Sequence, residues 1–177
     1  IDGCFTDYTV TVASGSGSNC TSTYASYESN QNSVVGKYNI AGAPDGSYAE
    51  IHNSNQQLIV DFNNVFPAGT QYKITWRVRN SESGTAYIDL SESTSSSSGF
   101  TNHPTRPQTT SKNFITTTVT SNSSFRYVAF DKGDINHTDY ELDAIEVINC
   151  VSCDTADNTT STADITEGQT KTLSGTP

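Results

Sequence analysis

Hydrophobic residues recur along this chain at every second position, in short runs broken by turn residues, and a period of two predicts strands. The cleanest run is 71–79, where Tyr72, Ile74, Trp76 and Val78 share one face and Lys73, Thr75, Arg77 and Arg79 the other. An earlier run, 8–12, ends in a Ser/Gly turn at 13–18. Runs 49–52 and 57–62 flank the turn Asn53-Ser-Asn55 and are expected to pair. Run 85–90 follows 71–79 after a Ser-Glu-Ser-Gly turn, so these two are expected to form a hairpin. Runs 113–120, 125–130 and 142–148 supply three more strands. About eight short strands, frequent turns and no convincing helix predict an all-β antiparallel β-sandwich of jelly-roll type. A buried parallel sheet is excluded, because its strands would read as continuous apolar runs. The expected core is Tyr72, Ile74, Trp76, Val78, Ile88, Leu90, Val128, Ile145 and Val147.

Two stretches fall outside the alternation. Segment 91–112 is a long Ser/Thr-rich loop carrying Phe100, His103, Pro104, Arg106 and Pro107. Loops of that length without structure of their own are uncommon and often functional. After Cys153, residues 154–163 offer almost nothing to bury and read as a linker, and 164–177 resembles the opening of an immunoglobulin-like repeat of bacterial surface proteins. The expected organisation is a sandwich module over 1–153, a linker over 154–163, and a truncated following repeat over 164–177. The abrupt start at Ile1 suits a processed or excised chain.

Composition narrows the setting. At 177 residues the chain can bury a core of its own. Only 33% of it is hydrophobic and 16% charged, a polar but sparsely charged surface that suits an extracellular β-protein. Nine Tyr, seven Phe and one Trp argue against disorder. A formal net charge of −10 repels nucleic acid and anionic membranes, so neither is an expected partner. No apolar run is long enough to cross a membrane. Cys150 and Cys153 have half a zinc-site spacing, but no second pair exists and His137 is a poor partner, so disulfides in an oxidising compartment are expected. Cys4, Cys20, Cys150 and Cys153 allow three connectivities, which the sequence leaves open, although Cys4–Cys20 would close a hairpin-sized loop. The setting is a secreted or cell-surface protein.

Two segments carry a family resemblance. Residues 41–51, Ala-Gly-Ala-Pro-Asp-Gly-Ser-Tyr-Ala-Glu-Ile, resemble the opening of galactose-binding-like modules in secreted Bacteroidetes proteins. Residues 140–147, Tyr-Glu-Leu-Asp-Ala-Ile-Glu-Val, resemble the closing strand of carbohydrate-binding modules of the family 6 and family 35 type. The resemblance spans roughly residues 40–150 and implies a structural calcium ion held by Asp143. The turn at Asp45 offers a second carboxylate and free carbonyls, the oxygen ligands that calcium takes, and Glu141 is a candidate third ligand.

Ligand binding is expected rather than catalysis. Nineteen acidic residues guarantee carboxylate pairs by number alone, no G-x-S-x-G elbow or HExxH motif occurs, and the three histidines are isolated from one another. An open β face could still serve a polysaccharide lyase. The candidate ligand residues are Arg77 and Arg79 on one strand face, Tyr87 and Asp89 on the presumed hairpin partner, and His103 and Arg106 in the proline-stiffened loop. Guanidinium forks match carboxylates and sulfates. The function expected is a monomeric, non-catalytic carbohydrate-binding module for an extracellular, possibly anionic, polysaccharide. The alternative is an adhesin or spacer module of a large bacterial surface protein.

Overall fold

The period-two pattern becomes strands in the computed structural model, which describes residues 19–132 and 137–151. In chain order they are β1 (Asn19–Tyr24), β2 (Ser26–Gln31), β3 (Ala49–Ile51), β4 (Gln57–Phe66), β5 (Gln71–Val78), β6 (Ala86–Tyr87), β7 (Asp89–Ser93), β8 (Thr101–Asn102), β9 (Gln108–Thr109), β10 (Ile115–Thr120), β11 (Phe125–Asp131) and β12 (Tyr140–Val151). A 3-10 turn occupies Lys37–Ile40. One antiparallel sheet runs β1-β12-β5-β10 with β3 added to β12, and the other runs β2-β4-β11-β7-β8. From β4 through β5, β7, β10 and β11 to β12, the chain changes sheet at each step, which is the winding of a jelly roll.

Every residue expected in the core is buried there, and Trp76 has no exposed surface. Its ring stands edge-on to Tyr140 at 6.0 Å, and its Nε1–H donates to Thr117 Oγ1 at 2.9 Å. A buried indole is thus packed and satisfied at once.

Two expected hairpins do not form. β5 pairs with β10 and β12, and β7 lies in the other sheet beside β11 and β8. Likewise β3 pairs with β12, whereas β4 pairs with β2 and β11. The reason is burial. Each of these strands has one apolar face, and crossing to the opposite sheet sets the two apolar faces against each other through the core. The turn between β3 and β4 is organised by buried Gln56, whose Oε1 accepts the N–H groups of His52 (2.8 Å) and Asn53 (3.0 Å). The strand expected at 8–12, the linker and the following repeat lie outside the described residues. So do Cys4, Cys153 and the side chains of Cys20 and Cys150.

A buried carboxylate joins the layers. Glu92 on β7 accepts Tyr72 Oη–H from β5 at 3.1 Å, the N–H of Asn122 at 2.9 Å, and the N–H and hydroxyl of Ser123 at 3.0 and 3.1 Å. Burial, followed by the nearby Glu92 charge, pushes the Tyr72 phenol far above its ordinary range, so it remains a donor. Replacing Glu92 by Ala strips four donors of their acceptor, and orphaned buried donors are costly. Urea unfolding of Glu92→Ala should show a loss of about 3 kcal/mol or more, against about 1 kcal/mol for Tyr72→Phe. A loss under about 1 kcal/mol for Glu92→Ala would mean that water satisfies the donors.

Candidate functional site

Strand register builds one polar corner. Asp131 at the end of β11 lies opposite Gln57 on β4 and Asp89 on β7. Ser91 lies opposite Asn102, with Oγ and Oδ1 2.9 Å apart. Loop 103–107 then folds back over β7, bonding His103 N–H to Leu90 O at 2.8 Å and Ile88 N–H to Pro107 O at 2.9 Å. A pocket of about 510 Å³ opens between loop and sheet, and Asp89, Asn102, Arg106, Asp131 and His137 line it.

Arg106 dominates this pocket. Its Nε is ion-paired with Asp89 Oδ1, one terminal nitrogen is 3.4 Å from His137 Nδ1, and its guanidinium lies 5.7 Å from the centre of the Tyr87 ring. His137 packs on the same ring at 4.9 Å. A guanidinium carries five N–H donors in a fixed fork. With its side chain 45% exposed, Arg106 keeps donors for a ligand while Asp89 fixes their direction. Burial pushes the Asp131 carboxyl above its ordinary value; a hydrogen bond from Gln57 Nε2 opposes this, and the Asp89 charge adds to it. The corner therefore offers donors and acceptors side by side, a chemistry suited to hydroxyls and carboxylates.

His103 also faces the pocket, but its ring is committed. Nδ1 accepts the Thr105 N–H at 3.0 Å, so Nε2–H is the donor to Thr120 O at 2.8 Å. With 3% of its side chain exposed, it fastens the loop to the end of β10. Tyr87, His103 and Arg106 thus converge as a group.

Arg77 and Arg79 lie elsewhere, because β5 is in the other sheet. Arg77 Nε is 2.5 Å from Glu141 Oε2, and its guanidinium lies over the neighbouring rings of Tyr48 (5.0 Å) and Phe114 (4.3 Å). Arg79 pairs with Glu50 at 3.2 Å and Asp139 at 3.4 Å. Neither reaches Asp89, whose partner is Arg106. Asp131, Asn102 and His137 were absent from the sequence-based set. Asp131 had a signal, since it continues the outward phase of Tyr127 and Ala129, but nothing in the sequence brings His137 to Tyr87.

No protein-family model and no curated protein matches this chain. Solved structures do. A truncated AlyQ with CBM32 and alginate lyase domains aligns with a TM-score of 0.53 at 13% identity, over 73% of this chain and 34% of that one. The chain therefore spans about a third of that protein's length. The family 32 module of AlyQ in complex with 4,5-unsaturated mannuronic acid aligns with a TM-score of 0.50 at 15% identity, over 70% of this chain and 96% of the module. The chain shares the β-sandwich fold of the family 32 module in those structures.

Of the three residues expected at a calcium ion, Asp143 meets the backbone of Asp45, and Glu141 does not join them. A bulge between Leu142 and Ala144 breaks the alternation of β12, so Asp143 turns to the 43–47 loop while Glu141 stays beside Arg77. The Asp143 oxygens accept the N–H groups of Asp45 at 3.2 Å and Gly46 at 3.1 Å, and Asp45 Oδ1 accepts the N–H of Ser47 at 2.8 Å. Among the described residues no group of three His, Cys, Asp or Glu side chains is placed to hold a metal. Both Asp143 oxygens and one Asp45 oxygen are thus taken up by backbone N–H donors.

Asp143→Ala should cost about 2 kcal/mol for two lost charge-assisted bonds, read by urea unfolding. The wild-type melting temperature should be the same in excess calcium and in excess chelator. A clear rise with calcium would show that an ion takes the place of those N–H donors.

Proposed function

We propose that this module binds an extracellular polysaccharide without catalysing its breakdown, and that the pocket at Arg106 takes an acidic sugar residue. One observation carries the reading: Arg106, on a loop fastened to both sheets, meets Asp89 and His137 at one pocket and lies against the Tyr87 ring. The free donors of the Arg106 fork would hold a sugar carboxylate, while Asn102 and Asp131 would bond hydroxyls. The similarity to a module solved with 4,5-unsaturated mannuronic acid supports an acidic ligand. Secretion and a place within a longer chain belong to the same reading.

The net charge of −10 opposes an acidic polymer at long range, so attachment has to be local. Affinity electrophoresis against alginate, pectin, carrageenan, fucoidan and neutral glucans tests this. Retardation by acidic chains is expected, weakening with salt because screening acts within about 8–10 Å. Arg106→Ala should weaken binding at least about tenfold, or ~1.4 kcal/mol. Wild-type retardation by Arg106→Ala, or retardation by neutral glucans alone, would overturn the acidic-sugar assignment.

The pH response has a defined sign. Asp131 holds its proton to higher pH than an ordinary carboxyl, so lowering pH toward that value removes negative charge from the pocket. Binding of an acidic chain should tighten over that descent, and Asp131→Asn should flatten the profile. A profile unchanged by Asp131→Asn would locate the charge effect elsewhere.

A further inference from the structure

At the far edge of the pocket-bearing sheet, a second cluster stands open to solvent. Tyr38 is 67% exposed, the highest value among the large exposed hydrophobic side chains of the described residues. Its ring meets Tyr27 edge-on at 4.8 Å. Lys37 Nζ sits over both rings, 5.2 Å from the centre of Tyr27 and 5.3 Å from that of Tyr38. Lys37 Nζ and Tyr27 Oη–H both donate to Asn30 Oδ1, at 3.0 and 2.8 Å. That leaves the Asn30 amide nitrogen to donate elsewhere.

A single exposed aromatic means little, and a lysine beside tyrosines is commonplace. Two further observations separate this cluster from an ordinary surface. The first is charge. Every arginine of the described residues is ion-paired, and so is Lys132, yet no carboxylate lies within ion-pair distance of Lys37. Lys73 and Lys112 likewise have no carboxylate partner among the described residues, but of the three only Lys37 sits over aromatic rings. The second is rigidity. Gly36 is left-handed at φ 66°, and a Cβ there would lie 2.3 Å from the Tyr48 carbonyl oxygen. Asn39 bonds the same carbonyl through Nδ2 at 3.1 Å, and Ile40 is fully buried. The turn is therefore pinned at both ends while Tyr38 is held outward, so presenting it requires little ordering.

We propose that Tyr38, Lys37 and Asn30 form a second sugar platform, which takes a uronic acid residue of the polysaccharide bound at the Arg106 pocket. The apolar C–H face of the sugar lies on the Tyr38 ring. Its carboxylate meets the Lys37 ammonium, and a hydroxyl accepts from the Asn30 amide. This proposal rests on the polysaccharide-binding reading but uses none of the pocket's residues. β2 and β7 are separated by β4 and β11. Three inter-strand steps make roughly 14 Å across the sheet, and because Tyr27 and Asn30 lie on the core-facing side of the β2 edge while Asp131 and Asp89 face outward, one polymer reaches both by passing round that edge. Two weak sites on one chain then act together, because the second contact becomes intramolecular.

The test uses the full chain with alginate and with a short oligouronate. Calorimetry with the oligouronate should give two sites per molecule for wild type, and one each for Tyr38→Ala, Lys37→Gln and Arg106→Ala. Alginate retardation should weaken about tenfold or more in each variant and vanish in Tyr38→Ala combined with Arg106→Ala. Far-UV circular dichroism and thermal melting verify that the exposed substitutions leave the fold intact. Wild-type stoichiometry and retardation in Tyr38→Ala would overturn the platform and leave the pocket standing. Full loss on Tyr38→Ala, with Arg106→Ala unchanged, would keep the platform and remove the pocket. No retardation of wild type by any acidic chain would overturn both.

Discussion

The buried carboxylate of Glu92 is the interaction on which this sandwich and its pocket both depend. Hydrophobic burial brings the sheets together, but it is non-directional and leaves their relative position loosely specified. Glu92 supplies the direction. It reaches from β7 to the Tyr72 phenol on β5, and to two backbone N–H groups in the turn between β10 and β11. His103 Nε2 lies 3.9 Å from the same carboxylate and donates to Thr120, one strand-end away. The loop bearing Arg106 is thereby referenced to the point where the two sheets are joined. A disturbance at Glu92 would act on the core through Tyr72 and on the pocket's loop through the 3.9 Å approach of His103.

Much of the fold was legible in the sequence. Period two states which residues face inward, and that was enough to bury Trp76, Tyr72 and Ile145 correctly. It does not state which strand lies alongside. A hairpin and a crossover to the opposite sheet satisfy the same alternation, so 71–79 and 85–90 were paired wrongly. The error then propagated to the site, because the proximity of Arg77 to Asp89 depended on that hairpin. The loop residues fared better for a different reason. Tyr87 and Arg106 meet because the 103–107 segment folds back on β7, and the two prolines and buried His103 make that return specific. The Lys37–Tyr38 cluster gave no periodic signal at all. Its meaning depends on exposure and on a missing counter-charge, neither of which a sequence displays.

Charge pairing shapes what this surface can hold. Arg77, Arg79 and Arg126 are consumed inside the fold by Glu141, by Glu50 with Asp139, and by Asp61. The Arg126 pair is bidentate at 2.8 Å, and its hydrogen bonds hold the Asp61 carboxyl below its ordinary value. Fixed in this way, these arginines act as cross-strand struts and leave few cations for a ligand. Arg106 differs because its partner orients it without enclosing it, and Lys37 because its ammonium meets two rings and an amide oxygen but no carboxylate. On the proposed reading, an acidic protein with two such positions would repel polyanions in general yet hold one that meets both at the correct spacing. The general repulsion raises the selectivity of the local contact.

At 13% identity to a structure of the same fold, little of this chain's sequence is held by the architecture beyond its alternation. Recognition therefore has to be argued from the site and not from the fold. Arg106, Lys37 and Tyr38 sit on connections, and those connections are tied to the backbone and side chains of neighbouring elements. Thr120 O holds His103, Tyr48 O holds Asn39, and the Asp143 carboxylate holds the 43–47 turn. Each tie lets the loop vary in its outward residues while its backbone stays where the sheet puts it. A loop so anchored loses little conformational freedom when a sugar arrives, and more of its few contacts appear as affinity. For a surface with so little net attraction for a polyanion, the proposed binding would depend on that low ordering cost.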